Sequence, residues 1–296
     1  MKKTMFLVVA AFALASCEKY NFDEEKPEPY DWEEVVYTFT KKFTFTVKGD
    51  FSGEWKPITR GYLQADGRDL TDLWVLDYMN GELVQQFHQD DNTASDFGKP
   101  VMQLKYGQHH VYFVASRGGS PVLSTDAHTI TFSPVRDTFW KDYEVTVVAT
   151  SNGNRAVTLD RVVTKLSLTF TDAIPDNAAT FNVTPATWYY GIDYLTGEPV
   201  EPKMNEVITV NIPSTSVGQS NVPVSMYGFS SATEWTTNLS VNSKTSGGDV
   251  ISEVSIANVP LKRNRVTEYS GPLFGSSGTM DMSLNDTWDT SVTGTW

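Results

Sequence analysis

The stretch "LWVLDYMNGELVQQFH", residues 73–88, decides the fold class. Two strand-like runs flank Asn80-Gly81. Both central positions of a two-residue hairpin turn need positive φ, which Asn and Gly adopt with least strain. A hairpin is predicted here, and a second at Asn152-Gly153, which joins "YEVTVVAT" to "VTLDRVVTKLSLTF". In that last run Leu166, Leu168 and Phe170 alternate with polar neighbours. Upstream, "VYTFTKKFTFTVK" (residues 36–48) sets Tyr37, Phe39, Lys41, Phe43, Phe45 and Val47 on one parity and Thr38, Thr40, Lys42, Thr44, Thr46 and Lys48 on the other. Side chains of a strand alternate between faces, so this is a long half-buried strand with Lys41 its one blemish.

Downstream, "VITVNIP", "VPVSMYGF", "VISEVSIANVPL" and "MDMSL" alternate in the same way, each bounded by Gly, Pro, Ser or Asn. No stretch carries a helical stripe of apolar residues, although "SPVRDTFWKDY" is expected to hold one helical turn. The alternation lapses near "TDAIPDNAAT", where Pro175 with Asp172, Asp176 and Asn177 marks a domain boundary. The expected architecture is all-β, with two tandem β-sandwich domains over residues 35–172 and 173–296.

The chain has a single cysteine, Cys17. Before it, Lys2, Lys3 and the apolar run from Met5 to Leu14 have the form of an export signal, shorter than the roughly 20 residues that span a bilayer. Leu14, Ala15, Ser16 and Cys17 resemble the bacterial lipobox, which implies removal of residues 1–16 and lipid on Cys17. Each buried methylene contributes about 0.8 kcal/mol, so several acyl chains on one residue hold a protein firmly. The alternative is an ordinary secretory signal with an incidental cysteine. Residues 17–34 are acidic, contain Pro27 and Pro29, and read as an extended tether. Within it Asp23, Glu24 and Glu25 resemble the signal that sends lipoproteins of the Bacteroides group to the outer face of the outer membrane, although a solvated linker is acidic too.

With Cys17 acylated no thiol remains, which excludes a disulfide, a thiolate metal site and a cysteine nucleophile. A 40% hydrophobic and 12% aromatic content over 296 residues supplies sizeable cores without them. The net charge of −13 becomes −15 once Lys2 and Lys3 leave, and it repels nucleic acid and anionic lipid.

Motifs for chemistry are absent. The sequence has no dinucleotide fingerprint, no phosphate-binding loop and no G-x-S-x-G elbow. His109 and His110 are adjacent in a strand-like segment, so they point to opposite faces and cannot chelate one ion; with His88 and His128 they read as ordinary histidines, and no metal or other cofactor is expected. Asp66, Asp69, Asp72, Asp77, Asp90 and Asp91 form a dense set of carboxylates in which a glycosidase pair could be sought, but Asp66-Gly67 reads first as a turn and Asp72 as the polar end of a strand. Trp55, Trp74, Trp140, Trp188 and Trp235 offer either core packing or a sugar-stacking face, core being the more frequent use. The protein does not read as an enzyme.

Three stretches carry a family resemblance: "ITRGYLQADGRDLTDLWVLDYMNGELVQQFHQ", "VYFVASRGGSPVL" and "VPLKRNRVTEYSGPLF". In this order behind a lipobox they resemble the fimbrillin superfamily, the pilus subunits of Bacteroides and its relatives, with the anchor or minor-subunit branch nearest and the stalk branch second. The resemblance implies transthyretin-like sandwiches and a surface lipoprotein of the outer membrane and fimbrium. Its partners would be other fimbrial subunits, joined by strand addition, and a host or bacterial surface ligand. In stalk subunits an arginine-specific protease cuts after the first strand, which is then replaced by a donor strand. Here Tyr37, Phe39, Phe43, Phe45 and Val47 would be the groove-filling residues, contributing on the order of 10 kcal/mol gross, and Arg60-Gly61 is the expected cut. Anchor subunits keep both strand and lipid. Lys262, Arg263 and Arg265, a family hallmark, read as a solvated strand pairing with local acids. Trp288, Val292 and Trp296 are spaced by four, which does not suit a donor strand. A glycan-binding surface lipoprotein shares the tether, the acidity and the sandwiches, and stands as the rival reading.

Overall fold

The alternation read over residues 40–48 becomes a strand of the first sheet, one place in from its edge. In the computed structural model, which describes residues 40–49, 70–275 and 280–285, β1 spans Thr40–Gly49. It is followed by β2 (Asp72–Met79) and β3 (Glu82–Gln89), the hairpin predicted at Asn80-Gly81, whose φ values of 55° and 81° are of the sign the turn demands. Next come β4 (Val101–Lys105) and β5 (Gly107–Ser116), the short β6 (Val122–Ser124) and β7 (Thr129–Thr131), then β8 (Thr138–Val147) and β9 (Asn154–Arg161). β1 lies between β4, antiparallel, and β9, parallel. β2 pairs with β3 and β5, and β5 with β8, all antiparallel.

The second half starts with β10 (Val163–Phe170), β11 (Thr180–Pro185), β12 (Thr187–Asp193), β13 (Pro199–Met204) and β14 (Ile208–Asn211). It continues with β15 (Val222–Phe229), β16 (Trp235–Lys244), β17 (Val250–Leu261), β18 (Val266–Gly271) and β19 (Asp281–Asn285). β10 lies between β15, antiparallel, and β18, parallel; β11 pairs with β14 and β16, and β16 with β17, all antiparallel. Pairing of β8 with β9 joins the first half into one seven-stranded sheet, β3-β2-β5-β8-β9-β1-β4. Its two segments, β4-β1-β9 and β3-β2-β5-β8, recur in order and polarity as the separate groupings β15-β10-β18 and β14-β11-β16-β17. β19 is an addition on the other side of β18. Each half carries one insertion, β6–β7 and β12–β13, and the two insertions pair with each other in the sheet β13-β12-β7-β6.

The chain passes from the first pattern to the second at Val162, between β9 and β10. β10 precedes the 172/173 boundary read from the sequence, yet it is paired with strands beyond it. One core holds Phe43, Phe45, Val75, Met102, Phe113 and Val157, all from strands of the seven-stranded sheet. The other fills the second half and reaches the opposite face of β2 and β5 through Leu76, Tyr78, Tyr112 and Val114. β2 and β5 are therefore buried on both faces, and the Tyr78 and Tyr194 hydroxyls meet there at 2.8 Å. The fold is all-β, built of packed sheets as a β-sandwich protein is.

Three local expectations are corrected. "SPVRDTFWKDY" contains no helical turn; β8 starts at Thr138, with Phe139 buried in the first core, and the one helical turn among the described residues is Ser214–Ser216. Asn152-Gly153 is not a two-residue hairpin, since neither residue has positive φ. Gly153 instead lets two backbones approach: a Cβ there would lie 2.3 Å from the Lys42 carbonyl oxygen. "VTKLSLTF" does not bury one face only, because Lys165 and Ser167, on the parity opposite to Leu166 and Leu168, are buried as well. The Lys165 ammonium sits 5.5 Å over the Tyr227 ring.

Candidate functional site

The sequence directs attention to β1. Of its proposed groove-filling residues, Tyr37 and Phe39 lie outside the described residues, as do Cys17, Arg60 and Gly61. Phe43 and Phe45 are 0% exposed and Val47 is half-buried, as the period-two pattern requires. The Phe45 ring centroid lies 5.3 Å from that of Phe113 and 6.0 Å from that of Tyr143, both edge-on, the favoured aromatic geometry. The Arg155 guanidinium sits 5.3 Å over Phe43. Lys41 shares their parity but lies near the start of the strand, where its Nζ donates to the Ala149 carbonyl at 2.7 Å. That contact explains why a charge is tolerated there.

β1 is bonded along both sides. Thr44 N–H donates to Gly153 O at 2.7 Å, Phe45 N–H to Pro100 O at 3.0 Å and Val47 N–H to Gly98 O at 2.8 Å. Gln89 shapes the loop that offers two of these acceptors: its Nε2 donates to Asp96 O at 2.9 Å and its Oε1 accepts from Gly98 N–H at 2.9 Å. Without β1, the facing edges of β4 and β9 and a slot lined by Met102, Leu104, Phe113 and Val157 would be uncovered. Such a pair of edges is a template for an added strand.

A buried polar pair stands at the end of this slot. Asp77 on β2 and His109 on β5 point into the first core, at 2% and 0% exposure. His109 Nδ1 is 2.7 Å from Asp77 Oδ1, and His109 Nε2 is 2.9 Å from the carbonyl of Lys105, the last residue of β4. A carbonyl only accepts, so Nε2 carries a hydrogen, and a second proton lies between Nδ1 and Oδ1. Burial pushes the Asp77 carboxyl above its ordinary value, partly opposed by hydrogen bonding to His109 and by the charges of His109 and Lys105. Lys105 is in turn the register partner of Thr40, so the pair braces the corner where β4 meets β1. Both residues stand out in the sequence, but nothing read there joins them. The signal was their parity: Asp77 falls in step with Leu73 and Val75, and His109 with Val111 and Phe113.

The other residues singled out have structural positions. Asp66, Asp69 and Trp55 lie outside the described residues. Asp72, the first residue of β2, accepts from Thr71 Oγ1, and Asp91 accepts from Thr93 in a local turn. Trp188 is core and donates to Tyr227 O; Trp140 donates to Tyr194 O and Trp235 to Ser230 Oγ. The Trp74 and His88 rings stack at 3.8 Å. His109 and His110 do point to opposite faces. The basic cluster is not a solvated strand, because Arg265 is buried and pairs with Glu234, while Arg263 donates to Ser230 O, Gly197 O and Glu198. Arg161 forms a buried bidentate pair with Asp137 at 2.7 and 3.1 Å and donates to Asn264 Oδ1 at 3.2 Å, which ties the end of β9 to the β17–β18 turn.

No curated protein matches the sequence. Among solved structures, one described as a "putative adhesin" from Bacteroides ovatus is 12% identical, with 86% of this chain and 96% of that one covered at a TM-score of 0.51. Another, described as "putative polysaccharide binding proteins (DUF1812)" from Bacteroides thetaiotaomicron, is 10% identical over 85% of this chain and 98% of that one, at a TM-score of 0.52. At such identities the likeness is one of fold alone. Residues 120–295 match the model of a "Family of unknown function (DUF6562)", and as this stretch exceeds half of the 296 residues, the chain belongs to that family.

Proposed function

We propose that the protein is a surface-displayed fimbrial subunit of the anchor or minor type, joined to its neighbours by β-strand addition and held to the outer membrane by lipid on Cys17. The observation that carries this reading is β1 itself, a strand bonded on both sides, with Phe43 and Phe45 in the core, that precedes Arg60 in the chain. Each of these two side chains contributes about 1.5–3 kcal/mol by burial. A cut after Arg60 would leave β1 held by non-covalent contacts alone, and its departure would expose the slot. An uncut subunit would keep β1 and accept a partner at another edge. The names of the structural neighbours, adhesin among them, support a surface role without choosing between these routes.

The test is the N-terminal state of the mature protein on cells, combined with sizing of purified protein with and without an arginine-specific protease. An anchor retains acylated Cys17 and binds partner subunits without forming a ladder. A stalk subunit shows a free amine at Gly61 and polymerises. If the chain is neither lipidated nor cut, and binds no other subunit, the proposal fails. The neighbour described as polysaccharide-binding favours one second reading, glycan capture. Saturable sugar-dependent quenching of tryptophan fluorescence would support it.

A further inference from the structure

His110 and Glu144 face each other across β5 and β8 as direct register partners, and Asp142 lies two residues from Glu144 on the same face. The three side chains converge: one donor atom from each lies within 4.8 Å of the others. His110 Nδ1 is 3.1 Å from both Asp142 oxygens, a forked hydrogen bond. A bound ion would replace the proton in that bond, with a small outward shift of the Asp142 carboxylate to reach ligand distances of about 2.0–2.1 Å. The imidazole is held in place by Tyr112, whose ring lies nearly parallel at 16° with a centroid distance of 6.1 Å.

We propose that His110, Asp142 and Glu144 bind one borderline divalent cation of the zinc type. One imidazole with two carboxylates suits such an ion better than magnesium or calcium, which favour all-oxygen shells. His110 and Asp142 are half-buried and Glu144 is exposed, so the ion faces solvent and keeps coordination positions for water or an incoming oxygen donor. The site lies on the face of β5 and β8 opposite the Phe43–Phe45 core, so it is separate from the β1 slot.

The test is calorimetric titration of the chelator-treated mature chain with ZnCl2 in a non-coordinating buffer, with MgCl2 as competitor. The expected result is one saturable site per chain, weakened at least tenfold in His110→Ala and in Glu144→Gln and unaffected by millimolar magnesium. An unchanged urea midpoint in metal-free buffer checks that His110→Ala is folded; should it not be, the exposed Glu144→Gln carries the test alone. The absence of saturable heat, or a loss of less than tenfold in the folded variants, overturns the proposal.

Discussion

Replacing Asp77 by Asn and by Ala separates two things the Asp77–His109 pair does. In the Asp77→Asn variant the new side-chain amide can donate to His109 Nδ1 while Nε2–H still donates to Lys105 O, so every partner is kept and no shared proton is needed. Only the extra strength of a charged or proton-sharing bond is lost, about 1 kcal/mol. In the Asp77→Ala variant the Nδ1 atom is stranded at a site with 0% exposure, where water does not replace the lost partner, and the penalty is about 1–3 kcal/mol plus the cavity. The pH dependence differs as well. Burial raises the Asp77 carboxyl above 3.8, so the folded state holds its proton to higher pH than the unfolded chain. The stability so gained is fully present below 3.8 and is lost as pH rises through the raised value. The slope in that window is at most about 1.4 kcal/mol per pH unit for one proton. Urea denaturation of the wild type and both variants at half-unit steps from pH 3.5 to 8 measures this. The difference between wild type and Asp77→Asn should shrink or reverse as pH rises, and Asp77→Ala should be the least stable throughout. A difference that stays flat over the whole range, or an Asp77→Ala variant as stable as wild type, refutes the shared-proton geometry.

Phe45→Ala should lower stability by about 3–5 kcal/mol, whereas Thr46→Ala, on the exposed parity of the same strand, should stay within about 0.5 kcal/mol; urea midpoints report both. Gly153→Ala forces a methyl to within 2.3 Å of the Lys42 carbonyl oxygen, and the backbone shift should cost about 1–3 kcal/mol, with faster hydrogen exchange at the Thr44 amide. Asp137→Ala leaves Arg161 buried without its carboxylate and removes the one that lies 3.4 Å from Arg117. A loss of about 3–5 kcal/mol in thermal or urea unfolding is expected.

Alternation is a local property, and the sequence carries it plainly. The inward parity of Phe43, Phe45 and Val47, the hairpin at Asn80-Gly81 and the runs that became β15, β17 and β19 all follow from the two-residue period and from the φ that Asn and Gly adopt. Where the period was the only guide, burial from a second direction misled it. β10 has polar residues on one parity, yet they are covered too. Gly153 looked like a turn residue, but what it serves is the close approach of β1.

The amino-acid sequence by itself determined that this is a strand protein, which side chains of β1 face a core, and that no dinucleotide fingerprint, phosphate loop or nucleophile elbow is present. Which strands become neighbours was decided only in three dimensions. The parallel pairing of β1 with β9, its recurrence as β10 with β18, and the sheet made by two insertions join residues far apart in the chain. The physical reason is that strand pairing and the burial of Asp77 against His109 depend on long-range closure of the sheets. No residue's own neighbours in the chain encode that closure; packing of the two cores selects it.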